Sequence, residues 1–279
     1  MRYSVDDLLT LMSVLRDAEQ GCPWDIKQDW DSIVPHTIEE AYEVADAIER
    51  RAFDELPGEL GDLLFQVVYY AQFSAEEQRF DFHDIVDTLT AKMVRRHPHV
   101  FPDGTLASRR PPGVSAEDVQ TEHVNSRWEA LKANERAERA QHTAPSVLDD
   151  VPRTLPALSR AAKLSKRAAR VGFDWPDASG VLDKIREELA EVEEALAEGN
   201  QQHVQEEVGD LLFAVTNLAR TVGADPERCL RSTNTKFERR FRYVEGKLAA
   251  DARPLADASL DEMESHWQAA KAQEKTFTP

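Results

Sequence analysis

Cysteine and long apolar runs are scarce in this sequence of 279 residues. Its two cysteines, Cys22 and Cys229, lie far apart and are too few for a disulfide framework or a thiolate metal site, which fits a reducing compartment. The longest apolar run, residues 63–71, contains Gln66 and is far shorter than the ~20 residues of a membrane span. The N-terminus lacks the apolar core and cleavage site of a secretory signal. We therefore expect a cytoplasmic protein that does not contact a membrane.

Basic residues are the minority among the charged ones. The chain has 34 lysines and arginines against 52 aspartates and glutamates, a formal net charge of −18. Proteins that hold a nucleic-acid backbone neutralise its phosphates with clustered lysines and arginines, so we expect no nucleic-acid partner. The excess of carboxylates suits divalent cations instead.

One acidic pattern occurs twice in the chain. Residues 39–43 read Glu-Glu-Ala-Tyr-Glu and residues 59–65 read Glu-Leu-Gly-Asp-Leu-Leu-Phe, and both blocks recur at 187–191 and 207–213. In each copy the second block begins 16 positions after the first block ends. A basic block and a tryptophan segment also recur, at 92–96 and 128–135 and again at 236–240 and 267–274. One fold has therefore been duplicated.

The length of the chain agrees with this duplication, because 279 residues are long for one core and natural for two domains. The best boundary is the segment Thr-Ala-Pro-Ser at 143–146. We predict an N-terminal domain at residues 1–142 and a C-terminal domain at residues 143–279.

Helical periodicity is the main structural signal, and strand-like alternation is absent, so we predict an all-α fold. Thr37, with Glu40 as its capping-box partner, is predicted to begin the helix that carries the first acidic block. Pro57 and Gly58 are predicted to break the chain before the Glu59 helix, which makes the two blocks the arms of a helical hairpin. Further helices are predicted near 8–15, 80–96, 117–141 and 155–170.

Two glycines, Gly61 and Gly209, recur at one helical position of the repeat. Glycine inside a helix costs about 1 kcal/mol relative to alanine. We therefore expect close approach of a neighbouring helix or of a ligand at this position.

The acids of each block stand three positions apart, which places them on one helix face. Four carboxylates that converge across a hairpin repel one another unless cations neutralise them. Oxygen ligands without cysteine or histidine favour Mg²⁺, with Mn²⁺ as the alternative. Most acidic helix segments are solvated faces, but Asp62 and Asp210 run directly into Leu-Leu-Phe and so lie at the edge of a buried seam.

The basic block supplies charge of the opposite sign. Lys236, Arg239 and Arg240 share about one helical turn and are candidates to clamp phosphates, while Trp267 or Trp175 is a candidate to stack on a base. The alternatives are solvated cations at a helix end and tryptophans in a core.

These motifs resemble the MazG nucleoside triphosphate pyrophosphohydrolases. The acidic blocks are shared with a wider all-α superfamily, whereas Cys-Pro-Trp-Asp at 22–25, Arg-Arg-His-Pro-His-Val-Phe at 95–101 and the tandem copy are specific to MazG. The resemblance spans nearly the whole chain. It implies two MazG-like helical-bundle domains completed by homodimerisation. It also implies Mg²⁺-dependent hydrolysis of NTPs or dNTPs, ATP among them, to monophosphate and pyrophosphate, in house-cleaning or control of the nucleotide pool.

The resemblance also implies roles for individual residues of the second copy. Its catalytic metal ligands would be Glu188, Glu191, Glu207 and Asp210. Its substrate contacts would be Lys184, Glu187, Glu206, Lys236, Arg239, Arg240 and Trp267. In two-copy members, the C-terminal half is the one tied to hydrolysis.

The first copy keeps all four acids as candidate metal ligands, namely Glu40, Glu43, Glu59 and Asp62. It has His36, however, at the position that matches Lys184. We therefore predict that the second copy is the main catalytic site, and that the first is weaker, specific for another nucleotide, or regulatory.

Two other classes of protein remain open at this point. One is a helical scaffold that binds a nucleotide, an alarmone or a partner without turnover. The other is a di-iron bundle, although such sites pair glutamate with histidine three positions later and neither acidic quartet here contains histidine. His97 and His99 are a candidate metal pair, but Pro98 between them favours a helix-end or loop role.

Overall fold

The computed structural model describes residues 2–111, 113, 115, 128, 146–251 and 253–276. These residues form nine α-helices and two short 3₁₀ helices, and none of them lies in a strand. The all-α prediction is confirmed.

The chain divides into two compact units, Met1–Asn134 and Glu135–Pro279. Residues 143–145 of the predicted boundary lie outside the described residues, and so does the predicted helix at 117–141 apart from Trp128. The boundary between residues 142 and 143 stays a prediction.

Each unit contains a series of helices joined by short connections. In the first unit these are α1 (Val5–Leu15), α2 (Trp30–Glu49), α3 (Leu56–Glu76) and α4 (Phe82–Arg96), with a 3₁₀ helix at Asp25–Lys27. In the second unit they are α5 (Ala157–Ala169), α6 (Ala178–Glu198), α7 (Gln201–Thr221), α8 (Pro226–Ala250) and α9 (Leu260–Thr276), with a 3₁₀ helix at Leu255–Asp257.

Helix α2 begins eight residues before the predicted start. Asp29 caps it, because its side chain accepts a hydrogen bond from the Ser32 amide at 2.8 Å and the Ser32 hydroxyl accepts one from the Asp29 amide. Thr37 lies inside the helix, where its hydroxyl donates to the Ile33 carbonyl at 3.1 Å. The prediction that Thr37 caps this helix is therefore wrong, because Asp29 and Ser32 form the capping box instead.

The break between α2 and α3 also lies earlier than predicted. Arg51, with a φ of 61°, turns the chain after α2. Pro57 and Gly58 stand in the first turn of α3, where proline's missing N–H has no helical partner to lose. The two helices pack against each other as the predicted hairpin, and α6 and α7 form its counterpart in the second unit. Gly199, with a φ of 72°, ends α6 in the left-handed conformation that glycine adopts without strain.

The core of the first unit lies between α1, α2 and α3. Its buried members are Met12, Ile33, Val68, Tyr69 and Phe73. In the second unit the buried apolar side chains include Val181 and Ala195 of α6, Ala214 of α7, and Val244 and Leu248 of α8. None of the helices searched among the described residues is apolar over a length sufficient to cross a bilayer.

Gly61 and Gly209 are both exposed, and a Cβ built on either would meet no described atom within 4 Å. The expected close neighbour is thus not a helix among the described residues. The physical reason is that each glycine lies on the side of its hairpin that faces away from the core of its unit.

Candidate metal and nucleotide site

Three carboxylates of the second copy converge across the α6–α7 hairpin. Glu188 stands on α6, and Glu207 and Asp210 stand on the first half of α7. One carboxylate oxygen from each lies within 4.8 Å of the others. Glu188 is 6% exposed, and an uncompensated charge at such a poorly solvated position is costly.

Glu191, the fourth predicted ligand, lies beside this group. Its pKa is raised by burial and by a hydrogen bond with Glu188, with repulsion from Glu207 acting in the same direction.

Lys184 provides a positive charge at this cluster. Its Nζ lies 2.7 Å from Glu187 Oε1 and 2.8 Å from Glu188 Oε1. Hydrogen bonds to Glu187 and Glu188 raise the pKa of Lys184, so it carries its full charge at neutral pH.

The first copy brings together Glu40, Glu43 and Glu59, with oxygens within 4.8 Å of one another. Asp62 is not part of that trio, but it is close enough to raise the pKa of Glu40 by repulsion, in addition to the larger effect of burial. His36 takes the place of Lys184, and its Nδ1 lies 3.6 Å from Glu39 rather than within hydrogen-bond distance of the trio. The first copy therefore has the acids with a histidine, and no lysine, at the position of Lys184.

Both trios consist of carboxylates alone. This donor set fits a hard divalent cation better than zinc or iron, which favour sulfur or nitrogen ligands. The separations are close to those of oxygens around one small ion, since two opposite ligands at 2.0–2.1 Å stand about 4 Å apart. Either site thus fits a divalent cation after small side-chain movements.

The sequence of the chain matches the MazG nucleotide pyrophosphohydrolase domain twice, at residues 28–101 and 178–244. The chain belongs to the MazG family. It is 52% identical over 272 residues to the nucleoside triphosphate pyrophosphohydrolase of Escherichia coli strain K12, which covers 97% of this chain and 98% of that protein. It is 38% identical over 271 residues to the nucleoside triphosphate pyrophosphohydrolase/pyrophosphatase MazG of Thermotoga maritima, with 97% of each chain covered. Both matched segments contain a complete acidic quartet.

The basic block of the second MazG domain is paired with the last helix. Arg239 donates from Nε and a terminal nitrogen to Glu274 Oε1 at 2.9 and 2.6 Å, and Arg240 makes the corresponding pair to Glu274 Oε2 at 3.0 and 2.7 Å. These two guanidinium groups lower the pKa of Glu274 to about 2. The Arg240 guanidinium also lies 5.7 Å from the Trp267 ring centroid, and Phe237 packs on the same indole at 5.1 Å.

In the first MazG domain the equivalent basic block, residues 92–96, is followed by His97, the C-cap residue of α4. His97 Nδ1 lies 2.6 Å from the Met93 carbonyl, and its ring packs edge-on against Trp128 at 5.0 Å. His97 therefore lies at the end of the helix, and the interpretation of the His97–His99 pair as a whole stays a prediction.

Glu207 has a histidine partner that the sequence reasoning missed. His203 Nε2 lies 3.1 Å from Glu207 Oε1, and its Nδ1 lies 3.0 Å from Glu198 Oε2. The hydrogen bond to Glu198 raises the pKa of His203, and Glu207 adds to the effect. The signal was present, since His203 precedes Glu207 by one helical turn. Glu206, a predicted substrate contact, instead accepts a hydrogen bond from Gln202 at 3.1 Å.

A cavity of about 90 Å³ opens beside the carboxylates of the second MazG domain. Its lining includes Trp175, Lys184, Glu188, Asp210, Ala214 and Asn217. No residue of the 236–240 block is among the described residues that line it. Within one unit, the candidate cation site and the candidate phosphate clamp thus border different cavities.

Proposed function

We propose that this chain hydrolyses nucleoside triphosphates to monophosphate and pyrophosphate, and that its second MazG domain performs the reaction. The observation that carries the assignment is the convergence of Glu188, Glu207 and Asp210 beside a cavity that also contains Lys184. Two close relatives bear the name of this activity. We assign the reaction to the cytoplasm.

In this proposal the ion is Mg²⁺, held by Glu188, Glu207 and Asp210 with Glu191 as the fourth ligand. The ion supplies Lewis-acid stabilisation of the phosphoryl oxygens when it is bound. Lys184, whose Nζ lies 2.7 Å from Glu187 Oε1, would be the charged donor to a phosphate oxygen in this site. A carboxylate of this group that is not fully used as a ligand is the candidate to accept the proton of the attacking water.

We assign the nucleotide's phosphates to Lys236, Arg239 and Arg240, with Glu187 and Glu206 at the rim and Trp267 against the substrate. Glu274 holds the two arginines with their fork geometry fixed. The basic residues do not line the carboxylate cavity of their own unit. We therefore propose that the basic block of one chain contacts the nucleotide bound at the carboxylates of a second copy of the chain.

Exposed apolar stripes on the hairpins support this homodimer. Leu182, Leu189 and Leu196 recur every seven residues on α6, and Val208, Leu212 and Val215 follow a helical stripe on α7; all six are at least 39% exposed. In the first unit the corresponding stripe includes Val34, Ile38, Tyr42, Leu60 and Leu64. Faces of this extent are typical of association surfaces, and the exposed glycines Gly61 and Gly209 allow close approach there.

Two matched substitutions test the assignment. Glu207→Gln removes a carboxylate charge from the second site and Glu59→Gln removes its counterpart from the first. Pyrophosphate release from an NTP with Mg²⁺ is expected to fall about 100-fold or more in Glu207→Gln and to change little in Glu59→Gln. Loss of activity in Glu59→Gln alone would reverse the assignment, and tight nucleotide binding without product in the unmodified chain would favour a binding scaffold.

A further inference from the structure

The cavity of the second MazG domain differs in size from the same place in the first. Residues of the two copies correspond at an offset of 148 positions, as Glu188 does to Glu40. At that offset three lining residues have larger counterparts in the first copy. The pairs are Val181 with Ile33, Ala214 with Gln66, and Asn217 with Tyr69.

In the first copy these larger side chains are buried and occupy the place of the cavity. Ile33 and Tyr69 are each 1% exposed and Gln66 is 6% exposed. The Tyr69 ring packs against Phe65 and Phe73, with centroids 5.0 and 5.7 Å away, and its hydroxyl donates to the buried carboxylate of Asp25. Tyr69 is thus a fixed part of the first hydrophobic core.

In the second copy the smaller side chains leave an opening with one oriented amide. Asn217 is 3% exposed, and its Oδ1 accepts a hydrogen bond from Arg220 Nε at 2.7 Å. Arg220 is in turn held by Asp174 at 2.5 Å. With its oxygen engaged, the Asn217 side chain offers its NH₂ group as the remaining donor.

An aromatic face borders the same opening. Trp175 lines the cavity, and its indole lies so close to Gly180 that a Cβ at residue 180 would stand 2.5 Å from Cδ1. Gly180 therefore lets the indole pack directly on the backbone of α6. The cavity thus combines an aromatic ring, a single amide donor and the apolar side chains of Ala214 and Phe213. A surface of this kind can stack on a flat heterocycle and donate a hydrogen bond to its edge.

We propose that this cavity receives the nucleobase of the substrate, with the ring against Trp175 and an acceptor atom facing Asn217, and that Gln66 and Tyr69 close the first copy to nucleobases. The inference rests on the proposed function, since it places the base of the same nucleotide whose phosphates meet the carboxylates. It would account for nucleotide binding at the second acidic quartet rather than the first. The first copy, where Gln66 and Tyr69 occupy the matching positions, is left able to hold a cation without a nucleoside.

The test places the first-copy residue in the second-copy cavity. Ala214→Gln is expected to raise KM for an NTP about tenfold or more, because a single glutamine side chain occupies the space of the ring. The probe without a base is inorganic triphosphate, used as an inhibitor. Its inhibition constant and the Mg²⁺ concentration for half-maximal activity are expected to stay within twofold of those of the unmodified chain.

Two further variants keep the outcome decisive. Gln66→Ala makes the opposite change at the matched position of the first copy and should leave KM unchanged, because Tyr69 still fills that space. Trp175→Leu acts at a side chain that is 39% exposed, where folding tolerates the change, and should raise KM without altering inhibition by inorganic triphosphate.

An unchanged KM in folded Ala214→Gln and Trp175→Leu would overturn the base pocket. So would an equal weakening of inorganic triphosphate inhibition, since the substitutions would then act on the phosphate site. Failure of the proposed function looks different, because Glu207→Gln would remain active whatever the cavity variants do.

Discussion

At the scale of single residues, the two acidic clusters differ most clearly in the cation beside them. Lys184 donates to Glu187 and Glu188 and keeps its charge at neutral pH, whereas His36 stands 3.6 Å from Glu39. A permanent positive charge at a carboxylate cluster is also a ready ligand for phosphate once a metal takes over the carboxylates. In the proposed function, this difference of one side chain favours the second cluster as the phosphate site.

Replacement of Lys184 by Gln should lower kcat/KM by about 100-fold, because it removes a charged donor at the reacting phosphates. Steady-state pyrophosphate release measures the effect. Lys184→Arg keeps the charge and should retain a larger share of activity, and His36→Gln in the first copy should stay within twofold. Equal losses in the Lys184 and His36 variants would contradict the asymmetry.

Gln66 carries a buried polar atom whose cost is measurable. Its Oε1 has no hydrogen-bond partner among the described residues. An unsatisfied buried acceptor costs about 1–3 kcal/mol. Methionine is apolar and of similar length to glutamine, so Gln66→Met should stabilise the first unit by about 1 kcal/mol and raise Tm by about 2–4 °C. Differential scanning calorimetry checks this. Gln205→Met, at an exposed position of α7, is the control and should change little; destabilisation by Gln66→Met would show that Oε1 has a partner.

At the scale of elements, charged side chains join pairs of helices in addition to apolar contact. Glu274 on α9 connects to Arg239 and Arg240 on α8, and His203 on α7 connects to Glu198 at the end of α6. Each contact involves a titratable group whose pKa differs from its ordinary value. The packing of these helix pairs should therefore depend on pH.

The Glu274 contact predicts loss of stability in acid. The folded pKa of Glu274 is depressed to about 2 from an ordinary 4.5, so its contribution is complete above about pH 4.5 and is lost as the pH falls towards 2. Glu274→Gln should lower Tm at pH 7, and the difference from the unmodified chain should disappear near pH 2. A difference that stays constant across that range would show that the ion pairs do not stabilise the helix pair.

The His203 contact predicts the opposite dependence. Its folded pKa is raised above the ordinary 6.5, so its contribution is complete below about pH 6.5 and is lost as the pH rises through the folded pKa. In metal-free protein with chelator, His203→Gln should lower Tm more at pH 6 than at pH 9. A loss that is equal at both pH values would indicate packing rather than charge.

At the scale of the whole molecule, the exposed apolar stripes of the hairpins are the surfaces that we propose to be buried in a homodimer. Leu212 is 54% exposed on α7, three positions after the exposed Gly209. An isolated chain of 31.5 kDa would leave these stripes in water.

Sedimentation of the unmodified chain should give twice the mass of one chain. Leu212→Glu should shift it towards the monomer and reduce pyrophosphate release, because the basic block then cannot reach the carboxylates of a second copy. Val171→Glu changes an equally exposed side chain outside the hairpins and should affect neither property. A fully active monomer would contradict the shared site.

The sequence by itself determined the helical class, the duplication and the two acidic quartets. These features depend on local geometry, because acids three positions apart share a helix face wherever that helix packs. It misplaced the starts of α2 and α3, since Thr37 and Pro57 are plausible boundary residues and only the capping contacts of Asp29 decide between alternatives.

Only the tertiary structure decided which three acids of each quartet converge and that Glu274 pairs with Arg239 and Arg240. It also decided that a cavity lies beside the second quartet, whereas buried core side chains occupy the matching positions beside the first. These properties depend on contacts between residues far apart in the chain. Tyr69 and Asn217 occupy equivalent places in the repeat, yet whether such a residue fills or lines a cavity depends on every side chain packed around it.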